Sequence, residues 1–125
     1  MQNKYFNVKT KASDGMVFDS TKEARRYEQL ILLQRAGEIS DLKRQVEYEL
    51  IPNQYETYER YSKTGKRLED GKKLIERKVV YVADFVYTTK TGEVIVEDAK
   101  GFRTKDFILK RKLLLFRHGI KLREV

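Results

Sequence analysis

Cysteine is absent from this chain of 125 residues, and histidine occurs only once, at position 118. Disulfide bonds, thiolate metal sites and zinc sites built from histidine and cysteine are therefore excluded. Any metal site must use oxygen ligands, which favours Mg²⁺ or Mn²⁺. Proline also occurs only once, and no proline- or serine-rich linker divides the sequence. We therefore expect one domain over residues 1–125.

Long apolar runs are missing as well. No stretch approaches the roughly 18 to 20 apolar residues that span a membrane, and the first residues do not resemble a secretory signal. What the chain has in excess is positive charge, with a net charge of +8 and a pI near 9.6. This charge favours a polyanionic partner such as nucleic acid, although many small basic proteins bind none.

Two helices are indicated by their caps. Ser20 and Glu23 fit a capping box, and Gly37 marks the end of the first helix. Thr104 can cap a second helix over 105–117, which Gly119 closes. Apolar residues recur at helical spacing in both segments.

Strands are predicted over 45–51, 77–88, 93–100 and 120–125. Residues 53–78 combine three tyrosines, many charges and two turn signals, at 64–66 and 70–72, which predicts a projecting hairpin arm. The order of elements predicts an α/β or α+β fold, a mixed sheet with helices packed on it.

The candidate site follows from two apolar runs that each end in an acid. Asp84 follows the run 79–83, and Asp98 follows the run 94–96, with Lys100 two residues later. Carboxylates and a lysine at adjacent strand ends can hold Mg²⁺ beside a phosphodiester, polarising the phosphate and lowering the pKa of a bound water. Lys100 could position the nucleophile or stabilise charge in the transition state.

The hairpin geometry is the step that the structure must test. A tight turn at Thr91-Gly92 joins the two strands, and Asp84 is expected to reach Asp98 only if their pairing is skewed or splayed. Glu97 and Asp98 point to opposite faces of their strand, so a one-residue change of register would exchange their roles.

Four sequence blocks together resemble a family of small phage and prophage proteins of the PD-(D/E)XK nuclease superfamily, similar to RecU-type Holliday junction resolvases. The resemblance spans almost the whole chain and is weakest over 55–73. Ala83 stands where the motif has proline, and Asp98 stands where glutamate is commoner. The blocks are 18–27, 37–42 with Gln45, 81–87, and 96–101 with Thr104 and Lys110.

The resemblance implies a restriction-endonuclease-like core and DNA cleavage that leaves a 5′-phosphate and a 3′-hydroxyl. It implies Asp84 and Asp98 as the metal-binding acids, the Ala99 carbonyl as a further ligand, and Lys100 as the lysine of the motif. It also implies a catalytic acid on the first helix, matched by Glu23, and a protein of the bacterial cytoplasm.

Several supporting residues have two readings. Glu23 can be a metal-site acid or only a cap, and Glu28 is the alternative acid of that helix. The second helix offers a DNA-binding surface through its N-terminus and its basic side chains, unless the latter form only a solvated face. That surface comprises Thr104, Lys105, Lys110, Arg111 and Lys112.

The arm can insert tyrosines into branched or single-stranded DNA, or it can pair with a second copy. The leading hypothesis is a Mg²⁺- or Mn²⁺-dependent DNA endonuclease that prefers particular DNA structures and acts as a homodimer. The rival is a DNA-binding module on the same fold without catalysis.

Overall fold

Two helices and eight strands make up the part of the chain that the computed structural model describes, residues 9–99 and 103–125. This arrangement confirms the predicted α+β class. None of the helices within those ranges is both long and apolar enough to cross a membrane. The helices are α1 (Thr21–Arg35) and α2 (Lys105–His118), and the strands are β1 (Thr10–Lys11), β2 (Val17–Phe18), β3 (Ile39–Ile51), β4 (Gln54–Tyr61), β5 (Arg67–Glu76), β6 (Val79–Thr89), β7 (Val94–Asp98) and β8 (Arg123–Glu124).

A four-stranded sheet in the order β3-β6-β7-β8 forms the centre. Its first three strands are antiparallel, whereas β8 runs parallel to β7. The hairpins β1-β2 and β4-β5 form two further two-stranded sheets that share no strand pairing with it.

The caps predicted for both helices are confirmed. Ser20 accepts a hydrogen bond from the backbone N–H of Glu23 at 3.1 Å, and Thr104 accepts one from Phe107 at 3.0 Å. Gly37, just after α1, and Gly119, at the end of α2, have φ values of 77° and 66°. These left-handed conformations suit glycine, which explains why both helices end there.

The strand boundaries differ from the prediction. The first long strand begins at Ile39 instead of residue 45, and the last one shrinks to β8. The short hairpin β1-β2 before α1 was not predicted. Two-residue strands carry too little alternation to be recognised from a pattern.

The arm is a hairpin, as predicted, but only one of its two turn signals is a turn. The chain reverses at Ser62–Lys66, where Gly65 has a φ of 84°. The second signal, at 70–72, was wrong, because Gly71 lies within β5 and faces Tyr58 on β4. A Cβ at Gly71 would come within 2.2 Å of the Tyr58 ring, so this glycine makes room for a side chain.

Each face of the central sheet packs against one helix. Ile95 belongs to a core cluster with Ala24, Tyr27 and Leu30 of α1, which we call the α1-side core. The adjacent Val96 belongs to a cluster with Phe107 and Leu114 of α2, the α2-side core. Since neighbouring strand residues point to opposite faces, the helices cover opposite faces of the sheet.

Candidate active site

The register of the hairpin β6-β7 leads toward Asp84 on one strand and Asp98 on the other. The recorded pairs run from Thr88 with Val94 to Phe85 with Glu97, in one constant register. The next residues in that register are Asp84 and Asp98. The strand pairing ends at Phe85 with Glu97, so the expectation that Asp84 reaches Asp98 only through skewed or splayed pairing stays a prediction.

The sheet changes its facing pattern at Asp84. Tyr81 and Ala83 pack into the α2-side core, whereas Phe85 and Tyr87 pack into the α1-side core. Strict alternation would put all four on one face, so β6 turns over between Ala83 and Phe85.

The neighbouring strand β3 turns over at the same level. Its register with β6 places Gln45 opposite Asp84, and Gln45 has a φ of 52°, which is uncommon for a residue with a side chain. On one side of Gln45, Arg44 stacks over Phe18 of the α1-side core; on the other, Tyr48 packs against the α2-side core. This paired break lies at the candidate site.

The break lets the Asp84 side chain reach sideways to β7. Its Oδ2 accepts a hydrogen bond from the backbone N–H of Ala99 at 2.9 Å, just past the last recorded β6-β7 pair. Asp84 is 7% exposed and Ala99 is buried, so this bond is shielded from water. It ties the first acid to the segment that carries the second.

Asp98 is fully buried and faces the α2 side of the sheet, near the Tyr81 hydroxyl. Burial raises the pKa of Tyr81, and the negative charge of Asp98 raises it further, with smaller contributions from Asp84 and Glu124. The pKa of Tyr81 therefore responds to the charges of both candidate acids.

Glu97 points to the other face and has a different set of partners. Arg26 of α1 donates to both of its oxygens, at 2.5 and 2.9 Å, and the Tyr87 hydroxyl donates at 2.6 Å. Of the two adjacent acids, Asp98 is thus the one on the side of Tyr81. Glu97 is a fully buried partner of an arginine.

On α1, the two candidate acids lie in different surroundings. Glu23 is buried, and its Oε1 accepts a hydrogen bond from the side-chain amide of Gln45 at 3.2 Å. Gln45 stands opposite Asp84, so Gln45 links Glu23 to the candidate site through this hydrogen bond. Glu28 instead bonds to the backbone and hydroxyl of Ser13, in the N-terminal hairpin.

The predicted DNA-binding residues of α2 are only partly available. Lys105 and Lys112 are exposed. Lys110 lies 3.6 Å from Asp106, one turn earlier, and Arg111 lies 3.3 Å from Glu124. The Thr104 oxygen caps the helix.

Lys100 lies outside the described residues. Within residues 9–99 and 103–125, no three side chains of histidine, cysteine, aspartate or glutamate come together as a metal site. Asp84 and Asp98 could therefore hold a cation only together with backbone or water oxygens. Such a donor set, two adjacent buried carboxylates, fits a hard divalent ion.

Two contributors to this region, Glu124 and Gln45, were missed at the level of sequence. Glu124 pairs with Asp98 across β7-β8 and forms an ion pair with Arg103 at 2.7 Å. Gln45 was noted only as part of a block. No local pattern marks such residues, because their roles depend on contacts between distant parts of the chain.

Comparison with known proteins gives one result. No curated protein and no solved structure matches the chain. The model of a family described as "Protein of unknown function (DUF1064)" matches residues 2–124, nearly the full length. The chain therefore belongs to the DUF1064 family.

Proposed function

We propose that this protein is a Mg²⁺- or Mn²⁺-dependent DNA endonuclease with a restriction-endonuclease-like core. The observation that carries the proposal is that Asp84 and Asp98 are the next residues along the β6-β7 register, at the break in the sheet. Both acids are buried, and both belong to strands that the hairpin holds in fixed register. A rigid pair of carboxylates is what a phosphodiesterase metal site requires.

Electrostatics support a cation at this position. The negative charges of two neighbouring carboxylates repel each other. A divalent ion would relieve that repulsion, and when bound it would polarise the scissile phosphate. Asp84 and Asp98 would hold it with the carbonyl oxygen of Ala99.

The remaining roles belong to side chains around the acids. Lys100 would position the attacking water or stabilise charge on the phosphate. Glu23 would act on the site indirectly, because it accepts a hydrogen bond from Gln45, the residue opposite Asp84. Lys105, Lys112 and the N-terminus of α2 would hold flanking phosphates.

The substrate that we propose is branched DNA, in line with the resemblance to junction resolvases. Resolving a four-way junction takes two symmetric cuts, so we propose a homodimer that places one site on each strand. The net charge of +8 supports a nucleic-acid substrate.

A cleavage assay tests the function directly. The purified protein is incubated with Mg²⁺ or Mn²⁺ and a panel of labelled junctions, flaps, single strands and plasmid, alongside Asp84→Asn and an exposed control, Glu93→Gln. We expect cleavage by the wild type and by Glu93→Gln, and loss of at least about 10²-fold in rate for Asp84→Asn. Cleavage that survives Asp84→Asn would contradict the assignment of this acid.

The same panel separates the rival function. If the wild-type protein binds these DNAs but cuts none of them with either metal, it is a binding module and the enzyme proposal fails. Binding is measured separately in EDTA, so that the loss of cleavage is not confused with the loss of affinity.

A further inference from the structure

A cleft of about 330 Å³ lies beside the candidate site, on the α1 side of the sheet. One wall is the exposed side of α1, and Ala99 forms part of the other. Ala99 is also the residue whose N–H binds Asp84. The cleft therefore opens next to the candidate acids and not on a remote surface.

The α1 wall is strongly basic. Lys22, Arg25, Arg26 and Gln29 line it, at positions i, i+3, i+4 and i+7 of one helical face. This face is adjacent to the one that α1 buries against the sheet. The N-terminal half of the helix adds the positive end of its dipole to the same region.

Arg26 and Arg25 differ in whether an acidic side chain already neutralises their charge. Arg26 is held by the buried carboxylate of Glu97, and it donates to Gln29 at 3.0 Å, so these contacts fix the wall of the cleft. Arg25 is exposed, and none of the ion pairs between residues of the described ranges includes it. Its charge is therefore available to a ligand.

We infer that this cleft binds a backbone phosphate of the DNA strand, next to the phosphodiester at the acids. Lys22 and Arg25 supply the charge, and the space between α1 and the opposite wall, formed by Ala99 and Val125, holds the phosphate. The inference rests on the proposed function for its choice of DNA as the ligand. It adds a second contact surface on α1, on the face of the sheet opposite to α2.

The test is the salt dependence of DNA binding without metal. Fluorescence anisotropy of a labelled duplex is measured in EDTA over a series of KCl concentrations for Lys22→Gln with Arg25→Gln. Each lost phosphate contact lowers the slope of log K against log salt by about 0.9. We expect the double variant, which loses the one phosphate held in the cleft, to reduce the magnitude of this slope by about 0.9 and to weaken binding at low salt.

Arg35→Gln is the matched control, because Arg35 is an exposed arginine at the far end of the same helix. It should leave the slope unchanged. Thermal unfolding checks the fold, which should persist since removing cations near a helix N-terminus favours its dipole. A double variant whose slope equals that of Arg35→Gln, or a wild type that does not bind DNA, would overturn the inference.

The outcome is independent of catalysis. A changed slope in a protein that cuts no DNA would support the cleft and refute the nuclease. Cleavage by the wild type with an unchanged slope in the double variant would support the nuclease and refute the cleft.

Discussion

Asp84 and Ala99 are joined by a hydrogen bond in which a side chain replaces the backbone of a strand. The Ala99 N–H donates to the Asp84 carboxylate at 2.9 Å, just beyond the last recorded pair of β6 and β7. The first acid of the candidate site therefore also closes the end of the hairpin. Its two roles can be separated by substitution, because an amide can accept this bond but cannot replace a carboxylate at a metal.

Asp84→Ala and Asp84→Asn should therefore differ in stability. Alanine leaves the buried Ala99 N–H without its acceptor, which costs about 1–3 kcal/mol. Asparagine can keep the acceptor through its carbonyl oxygen. We expect a clearly lower free energy of unfolding, by urea denaturation in EDTA, for Asp84→Ala only.

Both variants should lose cleavage, while DNA binding in EDTA should remain near the wild-type level. If Asp84→Asn were as unstable as Asp84→Ala, the hydrogen bond to Ala99 would not be what stabilises this end of the hairpin.

Glu97 should matter for stability and not for chemistry. Glu97→Gln removes the negative charge that Arg26 binds. The new side-chain amide also places an N–H donor against Arg26 or Tyr87, which are themselves hydrogen-bond donors. Breaking a fully buried ion pair costs roughly 3–5 kcal/mol. Arg26 is 22% exposed and can regain some hydration, so we expect a loss of about 2–3 kcal/mol.

At a temperature where the variant is folded, Glu97→Gln should cut DNA within a few-fold of the wild-type rate, whereas Asp98→Asn should not. Equal loss of cleavage in the two variants would show that Glu97 takes part in the reaction. Glu93→Gln, an exposed acid in the same hairpin, provides the baseline for both measurements.

Tyr27 should make the fold sensitive to alkali. Burial raises the pKa of Tyr27 to about 12, and its hydrogen bond to Asp14, 2.6 Å long, adds to the effect. Because the unfolded chain releases this proton near pH 10, the contribution is complete below pH 10 and is lost as pH rises toward 12. The difference in unfolding free energy between wild type and Tyr27→Phe should therefore shrink across that window.

Asp14→Asn tests the cause of this shift. Without the anionic acceptor the pKa of Tyr27 should fall. The pH range over which Tyr27 loses its stabilising contribution should then end at a lower pH than in the wild type. Parallel stability curves for wild type and Tyr27→Phe between pH 9 and 12 would contradict the assignment. Other tyrosines titrate in both proteins, so the comparison cancels their effects.

Some features around this site could be predicted from the local sequence. The helix caps at Ser20 and Thr104 follow from short-range rules, and both are confirmed. The register of the β6-β7 hairpin does not follow from the turn signal, because a two-residue turn at Thr91-Gly92 would pair Thr88 with Ile95, whereas the three-residue loop 90–92 pairs Thr88 with Val94.

Other features could not be read from local pattern. Arg26 and Glu97 are 71 residues apart, so their pairing depends on how α1 docks on the sheet. Gln45 takes a left-handed φ although glycine and asparagine are the usual signals for it. In both cases tertiary contacts outweigh local preference.

The arm should be dispensable for folding. β4 and β5 pair only with each other, and every residue of β4 is exposed. At its base Ile51 pairs with Val79, and the Asn53 side chain accepts a hydrogen bond from the Lys78 N–H at 2.6 Å. Replacing residues 54–76 by a short glycine turn should keep this base, and the midpoint of thermal unfolding should stay within a few degrees.

A wider deletion, from 50 to 80, is the contrasting variant. It removes Leu50, which is 3% exposed in the α2-side core, and should abolish cooperative unfolding.

Light scattering and cleavage assays on the folded short variant then determine the role of the arm. A drop from dimer to monomer would make it a dimerisation hairpin, whereas unchanged mass with lost preference for branched over linear DNA would make it a DNA-binding element. If the short variant itself fails to unfold cooperatively, the arm contributes to the core and its independence is refuted.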